Sequence, residues 1–105
     1  MVKVEGYTIY CTRKNDILLQ FDFTDEEGNP YKFEDDEKAI FTVDRCFNGA
    51  TIIQKDISTG ECAISGTELN IEAGAYLYDI TIIANDGAVI TVIPYHRFLV
   101  IDEVY

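Results

Sequence analysis

The sequence is poor in the residues on which most catalytic and metal sites depend. Among 105 residues there are one histidine and three cysteines. Cys11, Cys46 and Cys62 cannot all pair within the chain, and no two of them have the C-x-x-C spacing of a zinc site. His96 cannot complete a zinc ligand set alone. We therefore expect free, buried thiols in a reducing compartment, and no metal site or cofactor.

Basic residues are also few. The chain has eight lysines and arginines against 19 acidic residues, a formal net charge of -11. Phosphate backbones and anionic membranes are bound by clustered cations, and the sequence contains no such cluster. We therefore expect no binding to nucleic acid or membranes. The acidic surplus either serves solubility or marks a face that meets a basic partner or a cation.

Long apolar runs are absent. Residues 1–6 lack the apolar stretch of a secretory signal, and the longest runs, such as 80–84, are far shorter than a membrane span. We expect the chain to be made in a cytoplasm and to stay there, unless it leaves as part of a larger assembly. Its length fits one domain, residues 1–105, and its 48% apolar content suffices for one core.

What the sequence does contain is short runs of β-branched and aromatic residues, separated by turn residues roughly every eight to twelve positions. No segment keeps a helical period beyond two turns. Turn chemistry is clearest at Asp25–Pro30, Asn48-Gly49 and Asp86-Gly87. Seven or eight antiparallel strands in a two-sheet sandwich or a small barrel fit this pattern. The predicted strands are residues 7–12, 17–23, 39–45, 51–57, 61–65, 76–83, 88–93 and 98–104, with Pro94 interrupting the last two.

A tyrosine at the start of the seventh segment favours the sandwich. Glu72, Gly74 and Tyr76 place an acidic residue, a small residue and a tyrosine two positions apart at the entry to a strand. Immunoglobulin-like domains place a tyrosine there so that its hydroxyl bonds back to the loop backbone. The cysteine expected two residues later is Tyr78, so we expect no inter-sheet disulfide. We predict an all-β, immunoglobulin-like β-sandwich; the alternative is a plain strand with ordinary tyrosines.

No constellation of catalytic residues is visible. The sequence has no nucleophile beside a base and no glycine-rich phosphate loop, so we do not expect an enzyme. His96 is expected to be a turn or rim residue before the last strand. Cys46 follows a strand but has only Arg45 as a basic neighbour, too little to make a reactive thiol.

Two acidic clusters are candidates for calcium, Asp25–Glu27 and Glu34–Glu37. Calcium needs six to eight oxygen ligands from a loop of fixed spacing. Residues 22–28 match such a loop only loosely, because Thr24 replaces one ligand and no bidentate glutamate follows at the right distance. Solvated loops are the expected alternative.

Tyrosines offer a further binding option, because aromatic faces stack on sugars. Their scatter along the chain favours core or rim positions instead. A small carbohydrate- or ligand-binding module is therefore the alternative function. The seven tyrosines are Tyr7, Tyr10, Tyr31, Tyr76, Tyr78, Tyr95 and Tyr105.

The order of segments resembles a known phage family. The segments that carry the resemblance are residues 12–16, 19–23, 25–31 and 39–43, followed by 74–80, 86–87, 90–93 and 97–101. Their succession is similar to the N-terminal domain of the phage baseplate upper protein and to related prophage fibre modules. One departure is Pro94-Tyr95-His96, where those domains have a glycine-containing turn. The chain also stops at Tyr105, where the baseplate proteins continue, which fits either a stand-alone accessory protein or a fragment.

The resemblance implies an immunoglobulin-like sandwich that attaches a fibre or receptor-binding protein to a virion through protein–protein contacts. Other virion or tail proteins are the implied partners, and the implied location is the virion, after assembly in the host cytoplasm. The family supplies no functional residues to transfer. An apolar second face on the last strands indicates a homo-oligomer as well, because a monomer rarely exposes such a face. The residues of that face are Leu77, Ile83, Leu99 and Ile101.

Overall fold

A computed structural model describes residues 2–84 and 86–102, and that part of the chain is all-β. No helix within it is long and apolar enough to cross a membrane. The eight strands are β1 (Val2–Glu5), β2 (Thr8–Thr12), β3 (Ile17–Gln20), β4 (Lys38–Asp44), β5 (Thr51–Asp56), β6 (Glu61–Ile64), β7 (Gly74–Ile83) and β8 (Val89–Ile101).

The strands form two sheets of unequal size. The larger sheet has the order β1-β2-β8-β7-β4-β5, and the smaller one pairs β3 with β6. The prediction of antiparallel strands is wrong for one pair, because β2 runs parallel to β8, with Ile9 opposite Phe98. Hairpin turns fix antiparallel pairing between neighbours in sequence, but no turn sets the direction of two strands so far apart.

The core lies between the two sheets and follows the predicted period of two. In β7 the residues Tyr76, Tyr78, Ile80 and Ile82 are all buried. Phe41 in β4 is fully buried, with its ring centroid 5.3 Å from that of Tyr78. The small sheet covers this face with Ile17, Leu19, Cys62 and Ile64, which belong to the same buried cluster.

The hydrogen bond predicted between Tyr76 and the loop before β7 is present. The Tyr76 hydroxyl donates a hydrogen bond to the backbone carbonyl of Glu72 at 2.6 Å. The Tyr78 hydroxyl donates to the backbone carbonyl of Tyr7, which ties the entry to β2 to the centre of β7. These two bonds fix the loop before β7 and the turn before β2 against the sheet.

The last strand differs from the prediction. Residues 88–93 and 98–104 were expected as separate strands, whereas β8 runs through Pro94 from Val89 to Ile101. A bulge explains the difference, because Pro94 and Tyr95 together lie opposite Asp79, between the pairs Ile80–Ile93 and Tyr78–His96. Proline is tolerated at a bulge, where ladder hydrogen bonds are interrupted.

Other boundaries differ as well. β1 was not predicted, although residues 2–5 are alternately apolar and charged, because four residues are the shortest run that indicates a strand. The segment 17–23 is a strand only to Gln20, after which the backbone leaves the small sheet. The segment 7–12 is a strand only from Thr8, and Tyr7 before it is 58% exposed. Residues 103–104 of the predicted last strand lie outside the described residues.

Candidate functional site

An open groove lies on the inner face of the β7–β8 hairpin, beyond the cover of the small sheet. Its volume is about 510 Å³. The floor is apolar and comes from one residue of β7 and three of β8. A loop after β3 forms the facing wall, and Tyr7 closes one end. We call this the β8 groove; it is lined by Tyr7, Asp22, Phe23, Thr24, Asp25, Glu26, Tyr31, Ile82, Ile90, Val92 and Ile93.

A strand edge runs along this groove. Within the described ranges, the segment Val89–Ile93 pairs with β7 alone, because β2 joins β8 only from Phe98 onward. The segment contains no charged residue. Val89, Ile90 and Val92 are 61%, 55% and 42% exposed. Contiguous apolar exposure of this kind marks interaction sites in proteins.

The loop that forms the wall is held in shape by its own contacts. One carboxylate oxygen of Asp25 accepts hydrogen bonds from the backbone N–H groups of Glu27 and Asn29, at 3.0 and 2.9 Å. The ring of Tyr31 packs edge-on against Phe33, with centroids 5.0 Å apart. These contacts present the acidic residues of the loop to the groove in a fixed arrangement.

The loop also joins the two predicted acidic clusters. The Tyr31 hydroxyl donates to a carboxylate oxygen of Glu37 at 2.7 Å, and this bond raises the pKa of Tyr31. Asp25 and Glu26 of the first cluster line the groove wall. In residues 2–84 and 86–102 no group of three or more metal-ligating side chains comes together.

The tyrosines divide into several environments. Tyr76 and Tyr78 are in the core, and burial raises the pKa of Tyr78 to about 12. Tyr7 and Tyr31 line the β8 groove. Tyr95 lies on the opposite face of the large sheet, and Tyr10 is half-buried. Tyr105 lies outside the described residues.

His96 lies inside β8 rather than in a turn before a strand, which corrects the prediction. It is half-buried, and its ring stacks on that of Tyr7, with centroids 4.8 Å apart and an interplanar angle of 27°. The stack attaches the Tyr7 ring to β8 at the end of the groove. His96 therefore has a structural contact that sequence reasoning missed, since Tyr7 is far from it in the chain.

All three cysteines are free, as predicted. Cys11 and Cys62 are buried, and burial raises the pKa of each thiol to about 11. The prediction of buried thiols is wrong for Cys46, which is exposed because it lies in the loop between β4 and β5. A raised pKa leaves the two buried thiols protonated and unreactive at neutral pH.

The outer face of the large sheet combines apolar and acidic residues. Asp44 is buried there and accepts hydrogen bonds from the hydroxyls of Thr51 at 3.0 Å and Tyr95 at 2.7 Å. Burial, together with the charge of Asp44, raises the pKa of Asp79. Of the predicted apolar residues on this face, Leu77 and Leu99 are half-buried, while Ile83 and Ile101 are exposed.

Comparison with known proteins finds no match. No family model, curated protein or solved structure matches the chain. Its two distinctive features are the β8 groove and the uncharged strand edge beside it.

Proposed function

We propose that this chain is a non-catalytic assembly module of a phage or prophage tail, in the baseplate or a fibre, and that it acts through protein–protein contacts. The observation that carries the protein–protein part of the proposal is the apolar surface at Val89–Ile93. The phage setting rests on the resemblance of the order of segments to baseplate and fibre modules. In a domain of this size, an uncharged and partly unpaired strand of exposed valine and isoleucine exposes apolar surface to water unless a partner covers it. Other virion or tail proteins are the proposed partners, and the virion is the proposed location.

We propose further that the fold is an immunoglobulin-like sandwich. The hydrogen bond from Tyr76 to Glu72 supports this, since a tyrosine at the start of the penultimate strand bonds back to the loop in that class. The strand distribution gives additional support. Variable-type immunoglobulin domains enlarge the sheet that contains the last two strands, and here that sheet has six strands.

The proposed phage or prophage origin can be tested by identifying the genes that flank the gene for this chain. We expect tail and lysis genes on both sides, and an antibody against the chain should label the tails of particles induced from the source strain. Flanking genes for metabolic enzymes, together with unlabelled particles, would contradict the proposal.

Self-association is the second part of the proposal and uses the outer face of the large sheet. Ile83 and Ile101 are exposed there, and a symmetric oligomer would cover them. Light scattering should give a mass above that of the 11.9 kDa chain. Ile101→Lys should lower that mass, whereas Leu18→Lys, at an exposed position of β3, should leave it unchanged. A monomer at high concentration would refute this part.

A ligand-binding module is the second candidate, because the β8 groove places two tyrosines, Tyr7 and Tyr31, around a floor of aliphatic side chains. Tyrosine rings stack on sugars and their hydroxyls supply polar contacts. A glycan array tests it directly. Binding that is lost on Tyr31→Ala would favour this candidate over the assembly module, and an array without hits would remove it.

A further inference from the structure

The free part of β8 differs in chemistry from the outer edge of the large sheet that β5 forms. Edge strands expose unpaired N–H and C=O groups, and proteins normally protect them with charged side chains, proline or bulges. At the outer edge formed by β5, Lys55 and Asp56 supply such charges. The segment Val89–Ile93 contains no charged residue and no proline, although its pairing with β7 shifts register between Thr91 and Ile93. The β5 edge therefore carries two charged residues, whereas the free part of β8 carries none.

The groove beside this free edge can also accept side chains from an added strand. Side chains of a strand alternate between the two faces of a sheet. A strand added beside Val89–Ile93 would therefore direct alternate side chains into the β8 groove, over Ile82 and Ile90, and the others toward the outer face. Strand addition of this kind obtains its affinity from backbone hydrogen bonds and its specificity from such pockets.

The charge of the groove favours a basic partner protein over a second copy of this chain. Asp22, Asp25 and Glu26 line its wall, and no lysine or arginine is among the lining residues. A second copy of this chain, itself of net charge -11, would bring the same three carboxylates toward each other. A segment with lysine or arginine beside its apolar side chains would instead be attracted, so electrostatic complementarity favours a different, basic partner.

We propose that the edge of β8 at Val89–Ile93 binds an extended segment of a partner protein by strand addition, and that the side chains of this segment that face the β8 groove include both apolar residues and lysine or arginine. The proposal rests on the assembly function proposed above and specifies the chemistry of its partner. Of the side chains that face the groove, the apolar ones pack on its aliphatic floor and the basic ones lie against Asp22, Asp25 and Glu26 on its wall.

The test uses a fluorescein-labelled strand peptide of seven residues that carries isoleucine and lysine in turn on one face and threonine on the other, and a matched peptide with glutamate in place of lysine. Fluorescence anisotropy should give a Kd at least tenfold lower for the lysine peptide. Amide hydrogen exchange at Val89–Ile93 should slow at least tenfold when that peptide is bound. Equal affinity for both peptides, or unchanged exchange, would overturn the proposal.

Two variants separate groove binding from general attraction to an acidic protein. Ile90→Lys adds a positive charge at a residue that lines the groove, and it should raise the Kd at least tenfold. Val89→Lys adds the same charge on the neighbouring residue, which pairs with Ile83 and does not line the groove. It should change the Kd less than threefold. An equal effect of the two variants would mean non-specific attraction and would overturn the proposal.

Binding of a second copy of this chain in the β8 groove would give a different experimental result. Sedimentation equilibrium without peptide would then give a dimer that Ile90→Lys dissociates, and this result would overturn the proposal of a basic partner. The two levels of inference fail separately. Particles labelled by the antibody combined with no peptide binding would refute strand addition alone, whereas peptide binding combined with unlabelled particles would refute the tail function alone.

Discussion

Replacing Tyr76 with phenylalanine tests how much the hydrogen bond between Tyr76 and the loop before β7 contributes to stability. Tyr76 is 5% exposed, so the ring stays buried in the variant, and only the hydroxyl that donates to the Glu72 carbonyl at 2.6 Å is removed. One intramolecular hydrogen bond contributes roughly 0.5–1.5 kcal/mol net. Because Glu72 is exposed, water can take the place of the lost donor. We therefore expect the free energy of unfolding to fall by about 1 kcal/mol.

Urea unfolding followed by far-ultraviolet circular dichroism measures this loss. With a urea m-value of roughly 1–3 kcal/mol/M, the midpoint should fall by roughly 0.3–1 M at an unchanged m-value. The thermal midpoint should fall by about 4–8 °C. Tyr76→Leu, which also removes the ring, should cost more, because it leaves a cavity beside the core. If Tyr76→Phe unfolds at the wild-type midpoint while Tyr76→Leu does not, Tyr76 contributes packing alone and the hydrogen-bond argument is refuted.

Three further measurements test other contacts. A thiol reagent should react rapidly with the exposed Cys46 only, and with all three cysteines in denaturant; fast reaction of a second thiol in the folded protein would contradict the burial described. Asp79→Asn should raise the free energy of unfolding at pH 7, because folding raises the pKa of this carboxyl and so disfavours its ionised form. This gain in the free energy of unfolding should vanish as the pH falls through the raised pKa to below 3.8, because Asp79 of the wild type is then protonated in both the folded and the unfolded state. A gain that persists below pH 3.8 would refute the raised pKa of Asp79. The Lys55 ammonium donates a hydrogen bond to a carboxylate oxygen of Glu68 at 2.8 Å, and this bond lowers the pKa of Glu68. Glu68→Gln should therefore cost up to about 1 kcal/mol at pH 7. That cost is present above the ordinary pKa of 4.5 and should be lost as the pH falls through the lowered value, so a pH-independent difference would count against the pair.

The parts of the fold that were predictable from sequence depend on local alternation. In β7, large apolar residues recur at every second position from Tyr76 to Ile82, so the buried face could be assigned without any partner. Tyr76 was identifiable because its hydrogen bond joins residues only four apart. The free thiols followed from the number and spacing of the cysteines.

The parts that were not predictable depend on contacts between distant segments. Pro94 reads locally as a strand breaker, and only the pairing with β7 identifies it as part of a bulge. The β8 groove combines residues near 7, 22–31, 82 and 90–93, whose association no local pattern indicates. One signal was available, since Val89–Ile93 is an uncharged β-branched run, but sequence alone does not separate an open edge from a buried strand.

The interior position of β8 has a consequence for how the domain is made. β2 and β1 join the large sheet only through β8, which follows them by nearly the whole length of the domain. During translation, Ile9 and Cys11 therefore remain without their parallel neighbours until β8 has left the ribosome. Folding must wait for this late closure, and pairing between such distant segments is slow. The nascent chain consequently keeps this edge of β2 unpaired, and accessible to chaperones, until the last strand has been made.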